Sequence, residues 1–409
     1  MRVLLVGSGG REHALAWKLA QSPSLDELHA APGNPAIAAL GVCHPVRAED
    51  PETLLGLARA LTIDLVVIGP ETPLVLGVAD ALRKAGIPVF GPSRAAARIE
   101  GSKTFAKEVM RAAGVPTAGT MAVARAPCVV KADGLAAGKG VFVCRTSDEL
   151  DAAVRAAAGF RGALVIEELL EGEEVSLFAL CDGRRAVPFE PAQDFKRLAD
   201  GDRGPNTGGM GSCAPAVISP YELEELVGMV HQPVLDELAR RGTPFVGLLY
   251  AGLMLTPTGP HVLEFNCRFG DPETQSLLPR LVGDVLPPLA AAAAGDLGDA
   301  RLDTEPGAAV TVVLAGGRYP LAADSGTTIS GVEEAEKTGA RVFHAGTALQ
   351  NGRLVTNGGR VLNVTATAGT VAEARSHAYA AVEKIAFSGM RFRTDIAAAS
   401  AARAEPVRV

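Results

Sequence analysis

VVKADGLAAGKGVFVC, residues 129–144, sets Gly134, Gly138 and Gly140 between two apolar runs and brackets them with Lys131 and Lys139. Backbone amides in such a loop approach phosphate oxygens closely, and two ammonium groups add positive charge. A P-loop is excluded. That motif needs glycine at 133 and Ser or Thr after the lysine, where Asp133 and Gly140 stand, and it opens a helix, whereas Val141–Cys144 has the pattern of a strand. Strand, glycine loop and strand fit a lid over a triphosphate; they also fit a plain hairpin with surface lysines.

The complementary stretch is HVLEFNCRFGDPETQ, residues 261–275. In an extended chain side chains alternate faces, so Glu264, Asn266 and Arg268 share one face while Leu263, Phe265 and Cys267 take the other. A carboxylate and an amide oxygen are the hard ligands magnesium prefers, and a neighbouring guanidinium can fork onto a transferring phosphoryl group. A half-buried edge strand with a surface Glu–Arg pair would share this pattern. Together the two stretches read as halves of one phosphate site.

Between these two stretches, LVIEELLEGEEVSLFAL (164–180) is an apolar run broken by an acidic hinge, which can present backbone groups to a purine or form a solvated turn. QDFKRLADGDRGPNTGGMGS (193–212) combines Lys196, Arg197 and Arg203 with several glycines and shows neither helical nor strand periodicity. Long structureless loops in compact domains are usually functional, and this one suits an anion. GSGGREHA (7–14) resembles a dinucleotide fingerprint, but the third glycine would fall on Glu12, and the acidic residue expected about twenty positions on is missing. Gly9 and Gly10 before a helix still suit a phosphate, with Arg11 beside them. His13, on that helix, reads as a packed residue.

At 409 residues the chain fits two to four domains. Its first hundred residues alternate apolar runs (3–6, 65–68, 88–90) with helical patterns (11–21, 76–85), which predicts βαβ units and an open parallel sheet. A helix from Ser102 leads into short glycine-bounded strands, a small lobe over about 117–182. A helix over 220–241 and strands over 245–255 and 261–268 form the catalytic body. Strands over 308–314, 327–329, 341–345 and 359–364, with a closing helix over 371–385, form a β-rich α+β domain. The predicted boundaries are 1–98, 99–300 and 301–409, an α/β multidomain protein.

Net charge is −7 and aromatics are 4%, which argues against a nucleic-acid surface. The longest apolar runs fall far short of the roughly 20 residues of a membrane span. Six scattered cysteines without CxxC spacing suggest neither disulfides nor zinc, and a reducing cytoplasm fits.

GSGGREHALAWKL, VVIGPETPLVLGVAD, VVKADGLAAGKGV, VIEELLEGEEVS, GPNTGGMG, NCRFGDPETQ and TNGGRVLNVTA, in this order, resemble the phosphoribosylamine–glycine ligase (glycinamide ribonucleotide synthetase) family of the ATP-grasp superfamily. The resemblance spans nearly the whole chain. It implies an N-terminal open parallel sheet, an ATP-grasp core with a mobile lobe, and a C-terminal β-rich domain. It also implies a reaction of glycine, 5-phosphoribosylamine and ATP in purine synthesis, with Mg2+ or Mn2+ and no obligate protein partner.

Carried over by motif, Lys103 and Lys131 would contact ATP phosphates with Gly134, Gly138 and Gly140. Glu168 and Leu170 would hold adenine through backbone, and Glu174 the ribose. Glu264 and Asn266 would hold the metal, with Arg268 and Lys139 acting on the transferring group. The sugar phosphate would lie near Gly9, Gly10 and Arg11 and at Lys196, Arg197, Asn206, Thr207 and Gly209. Phe195 stands where the family usually has histidine, and the lobe is shorter than usual. Another ATP-grasp ligase is the rival reading; a silent nucleotide-binding protein would lack the lysines and metal ligands.

Overall fold

The computed structural model describes residues 1–135, 139–160 and 162–403. The N-terminal apolar runs form a five-stranded parallel sheet, ordered Val42–Cys43, Glu27–Pro32, Arg2–Gly7, Leu65–Ile68 and Val89–Phe90. The strand Leu65–Ile68 is buried throughout, as expected where helices cover both faces of a parallel sheet. Two of these strands and the helix Pro51–Ala60 lie outside the predicted pattern. The helix predicted over 76–85 is two helices, Glu71–Leu76 and Val78–Lys84, because Gly77 adopts φ +89 and ends the first.

From Lys103 to Ala113 runs a helix whose N-cap, Ser102, accepts the Phe105 amide at 3.2 Å. It leads to a lobe of three antiparallel strands, Val141–Cys144, Cys128–Ala132 and Leu164–Glu168, backed by the helix Ser147–Ala157. Thr146 and Glu149 start that helix with a capping box. The lobe sheet ends at Glu168, short of the sequence expectation. The next strand, Glu173–Asp182, carries an unbroken buried run from Val175 onward and sits inside the main sheet instead.

That main sheet has eight antiparallel strands and joins the catalytic body to the C-terminal region. Its order is Gly259–Asn266, Val246–Thr256, Glu173–Asp182, Ala186–Asp194, Gly211–Ala214, Ala308–Ala315, Arg360–Ala368 and Arg341–His344. The helix Pro220–Arg240 packs on one side, opened by Ser219 and Glu222 as a capping box with proline at its first position. A three-stranded sheet (Asp324–Thr328, Arg353–Gly358, Thr347–Gln350) and the helix Val371–Val382 complete the C-terminal region.

Two differences reshape the site. The stretch 193–212 is not structureless: Arg197–Ala199 pairs with Arg203–Asn206 as a hairpin, which the glycines and charges had hidden. In the strand Gly259–Asn266, Gly252 faces Glu264 but Leu253 faces Val262, so Leu263 is the extra residue of a bulge. Val262, not Leu263, therefore enters the core, and Leu263 turns to the cavity.

Candidate active site

One cavity of about 400 Å³ opens where the N-terminal sheet, the lobe, the main sheet and the C-terminal region meet. That volume suits a small-molecule site. Its lining brings together Arg11, Lys103, Lys131, Gly134, Lys139, Gly140, Lys196, Thr207, Glu264, Asn266 and Arg268, all singled out from the sequence. Gly9, Gly10, Glu168, Leu170, Glu174, Arg197, Asn206 and Gly209 are not among its lining residues. Gly138 lies outside the described residues.

The lysines are held by named acceptors. Lys131 Nζ reaches Glu167 at 2.7 Å and the carbonyl of the bulged Leu263 at 2.8 Å. Glu167 also binds Lys107 at 2.8 Å, so one buried carboxylate is shared by two lysines. Lys103 Nζ donates to the Gly134 carbonyl at 3.0 Å, and its amide donates to Asp133 at 2.6 Å. Asp133 thus sits on the N-terminus of the Lys103–Ala113 helix and ties the lobe to the body, where a P-loop would have had glycine. Burial lowers the Lys103 pKa, opposed by the Glu264 carboxylate.

The Glu264 carboxylate has no hydrogen-bond or ion-pair partner among the described residues, and Asn266 Oδ1 lies 3.5 Å from Arg268 Nη2. Two hard oxygens facing one cavity, one of them an unpaired carboxylate, fit a divalent cation. Arg268 is more committed than the sequence suggested. It pairs with Glu71 at 3.1 Å and Glu100 at 2.9 Å; burial alone would lower its pKa, but those carboxylates more than reverse this.

At the first turn, Glu12 occupies the place the fingerprint gives to glycine. Its carboxylate accepts from the Gly9 amide at 2.6 Å and from Arg11 Nε at 2.6 Å, so those donors face a side chain of the protein. Gly10 is needed for close approach, since a Cβ there would fall 2.2 Å from Asn363 Nδ2 of the C-terminal region. His13 packs against Phe343 and accepts from the His344 amide at 2.8 Å; burial, then His344, pushes its pKa down to about 3.

The hairpin supplies the opposite wall. Lys196 pairs with Glu174, and Thr207 Oγ1 donates to the Lys196 carbonyl at 2.8 Å. Arg197 donates to the Gly204 carbonyl at 2.8 Å, and Asn206 to the Val141 carbonyl of the lobe at 3.2 Å. Phe195 points away into the C-terminal core, with the Arg393 guanidinium 5.4 Å from its ring centroid. Glu168 accepts from the Gly119 amide at 2.7 Å, and Leu170 lines a separate shallow recess with Leu169, Glu171 and Thr256.

Sequence reasoning missed Glu71, Glu100, Lys107, Asp194, Tyr250, Glu273, Tyr319 and Arg360, all of which line the cavity. Lys107 carried a usable signal, four residues after Lys103 on one helix face. Arg360 sits in TNGGRVLNVTA, a motif noticed but given no role; it holds the Asp271 carboxylate at 3.0 Å and the Asp271 carbonyl at 2.6 Å. Tyr319 accepts from the Gly208 amide at 2.9 Å.

Family models of phosphoribosylglycinamide synthetase match the chain in three parts: its N domain at residues 1–100, its ATP-grasp (A) domain at 101–274 and its C domain at 309–399. The chain belongs to the phosphoribosylglycinamide synthetase family. A relative from Mesorhizobium japonicum, a phosphoribosylamine–glycine ligase, is 50% identical over 421 residues, covering 98% of this chain and 99% of its own. The crystal structure of the phosphoribosylamine–glycine ligase from Thermotoga maritima superposes with a TM-score of 0.84 at 36% identity, over 97% of this chain and 100% of that one. The biotin carboxylase domain of a Hydrogenobacter thermophilus 2-oxoglutarate carboxylase, solved with MgADP, shares the fold alone (TM-score 0.71, 18% identity, 96% of this chain and 91% of that one). As a member of the synthetase family the chain is an ATP-grasp carbon–nitrogen ligase that uses ATP with a divalent metal.

Proposed function

We propose that the cavity joins glycine to 5-phosphoribosylamine, giving glycinamide ribonucleotide, ADP and phosphate in de novo purine synthesis. The observation that carries this reading is the convergence of Lys103, Lys131, Glu264, Asn266 and Arg268 on one cavity walled by all three matched regions. A carboxylate is a poor acyl donor. Its oxygen first takes the γ-phosphoryl group of ATP, and the amine then displaces phosphate from glycyl phosphate.

Lys103 and Lys131 orient the ATP phosphates under the loop of Gly134, Gly138 and Gly140, and Lys139 closes over them. The backbone of Glu168 and Leu170 takes adenine, and Glu174 the ribose. Glu264 and Asn266 hold the cation, Mg2+ or Mn2+, which when bound offsets phosphate charge. Arg268, positioned by Glu71 and Glu100, faces the transferring group. The sugar phosphate lies between Arg11 and the Lys196–Thr207 wall, with Gly9, Gly10, Arg197, Asn206 and Gly209 supporting those two surfaces. Closing the lobe excludes water from the acyl phosphate.

The three functional units are residues 1–98, 99–300 and 301–409, the chain works in the cytoplasm, and its partners are the small-molecule substrates alone. No helix among the described residues is long and apolar enough to cross a membrane. The test supplies ATP, Mg2+, glycine and freshly generated phosphoribosylamine and follows ADP and phosphate. Turnover should need all four, and turnover indifferent to glycine or to the amine refutes the assignment.

A further inference from the structure

One wall of the cavity holds carboxylates that its cations do not match. Asp194, Asp271 and Glu273 line it together with Tyr250, Lys196 and Arg360. Arg360 is committed to Asp271 at 3.0 Å. Lys196 is paired with Glu174 and stands off at 3.6 Å from Asp194 Oδ2. Glu273 accepts from the Ser176 hydroxyl at 3.3 Å and has no ion pair among the described residues.

Asp194 is the sharper anomaly. Its side chain is only 7% exposed, yet Oδ1 has no hydrogen-bond partner among the described residues. A Cβ at Gly209 would fall 2.4 Å from Pro272 Cδ and 2.8 Å from that oxygen, so only glycine lets the backbone pass this close to it. The groups acting on Asp194 are Glu273, Lys196, Glu174 and Arg360. Burial, then the Glu273 charge, pushes its carboxyl well above the usual range; burial raises Glu273 as well. Two carboxyls in one dry corner resist ionising together, and the one left ionised is a stronger proton acceptor than a carboxylate in water.

The ligation releases a proton that such an acceptor is placed to take. When the amine lone pair forms the C–N bond and the C–O bond to phosphate breaks, phosphate leaves with the electron pair, and the nitrogen still carries one proton more than an amide holds. No histidine lines the cavity among the described residues, and Phe195 is turned away. The other carboxylates are engaged: Glu71 and Glu100 on Arg268, Glu167 between two lysines, Asp271 on Arg360, and Glu264 assigned to the cation. We propose that Asp194, backed by Glu273, takes the proton released by the attacking amine. This inference rests on the ligase reading above.

The test compares the wild-type chain with Asp194→Asn, an isosteric change that also removes a buried like charge, and with Glu273→Gln. Two assays separate the half-reactions: amine-dependent ligation across pH 6 to 9, and glycine-dependent ADP formation with hydroxylamine, which traps acyl phosphates without catalytic help. Asp194→Asn should lower kcat for ligation by about 10²- to 10⁴-fold. Its KM values should stay unchanged, the rise of kcat with pH should disappear, and the hydroxylamine trap should be nearly untouched. Glu273→Gln should retain turnover but move that rise to lower pH, which keeps the inference testable if Asp194→Asn fails to fold. Near-normal ligation, an equal loss in both assays, a raised KM for glycine at unchanged kcat, or an unmoved pH rise in Glu273→Gln would each overturn it. A wild-type chain that never ligates would instead refute the ligase reading.

Discussion

Glu12 shows how much one side chain decides. The sequence reveals that Glu12 stands where a dinucleotide fingerprint has its third glycine, but not what its side chain does there. In the structure the Glu12 carboxylate fills the turn among Gly7, Gly9 and Gly69, and a Cβ on any of these would meet it at 2.9 Å or less. That carboxylate, not a ligand, accepts from the Gly9 amide and Arg11 Nε in the turn. That Glu264 and Asn266 line the same cavity was legible, because alternation alone puts them on one face. The pairing of Glu167 with Lys107 and Lys131 was not, because it joins a helix to two strands of the lobe that are far apart in the chain. It makes a prediction. Glu167→Gln leaves two buried ammonium groups without their carboxylate and should cost about 3–5 kcal/mol in urea unfolding. Lys107→Met should cost less, since Glu167 keeps Lys131; equal losses would show that Glu167 does not bridge the pair.

Among the elements, those with strong apolar periodicity were read to within a few residues. The helix Pro220–Arg240 and the strands Leu65–Ile68 and Ala308–Ala315 are examples. The hairpin at 197–206 was missed because its residues are polar and glycine-rich, and its stability comes from contacts with the C-terminal region, such as Arg393 with Asp202 at 2.7 Å. The bulge at Leu263 was invisible for another reason: register depends on the partner strand, which one strand's sequence does not contain.

The helix Pro220–Arg240 also carries a pH-sensitive contact. His231 is fully buried, Nε2 donates to the Leu249 carbonyl at 3.2 Å, and Nδ1 has no partner among the described residues. Burial pushes its pKa from 6.5 to about 4, partly opposed by that carbonyl. Because the folded value is depressed, the unfolded chain binds the proton first, and stability falls as pH drops below 6.5. Between pH 7 and pH 5 this one group should cost about 2 kcal/mol. Urea unfolding of His231→Leu should show a pH dependence flatter than wild type by that amount; identical slopes would contradict it.

For the whole molecule, family resemblance anticipated the order of the regions but not how tightly the C-terminal one is built in. Its strands extend the catalytic sheet edge to edge, and Arg360 and Tyr319 reach into the cavity to hold the turns at Asp271 and Gly208. Neither fact is written in local periodicity, since both depend on pairings between residues 89 or more positions apart. The resulting cavity takes walls from every region, which suits a reaction whose reactive intermediate must be kept from water. In the proposed reaction a glycine carboxylate oxygen attacks the γ-phosphorus of ATP within this cavity. Turnover with glycine carrying 18O in its carboxylate, followed by mass analysis of the phosphate released, tests it most directly. One glycine-derived 18O is expected in each phosphate; phosphate free of label, with ligation intact, would mean that no glycine oxygen attacks the γ-phosphorus.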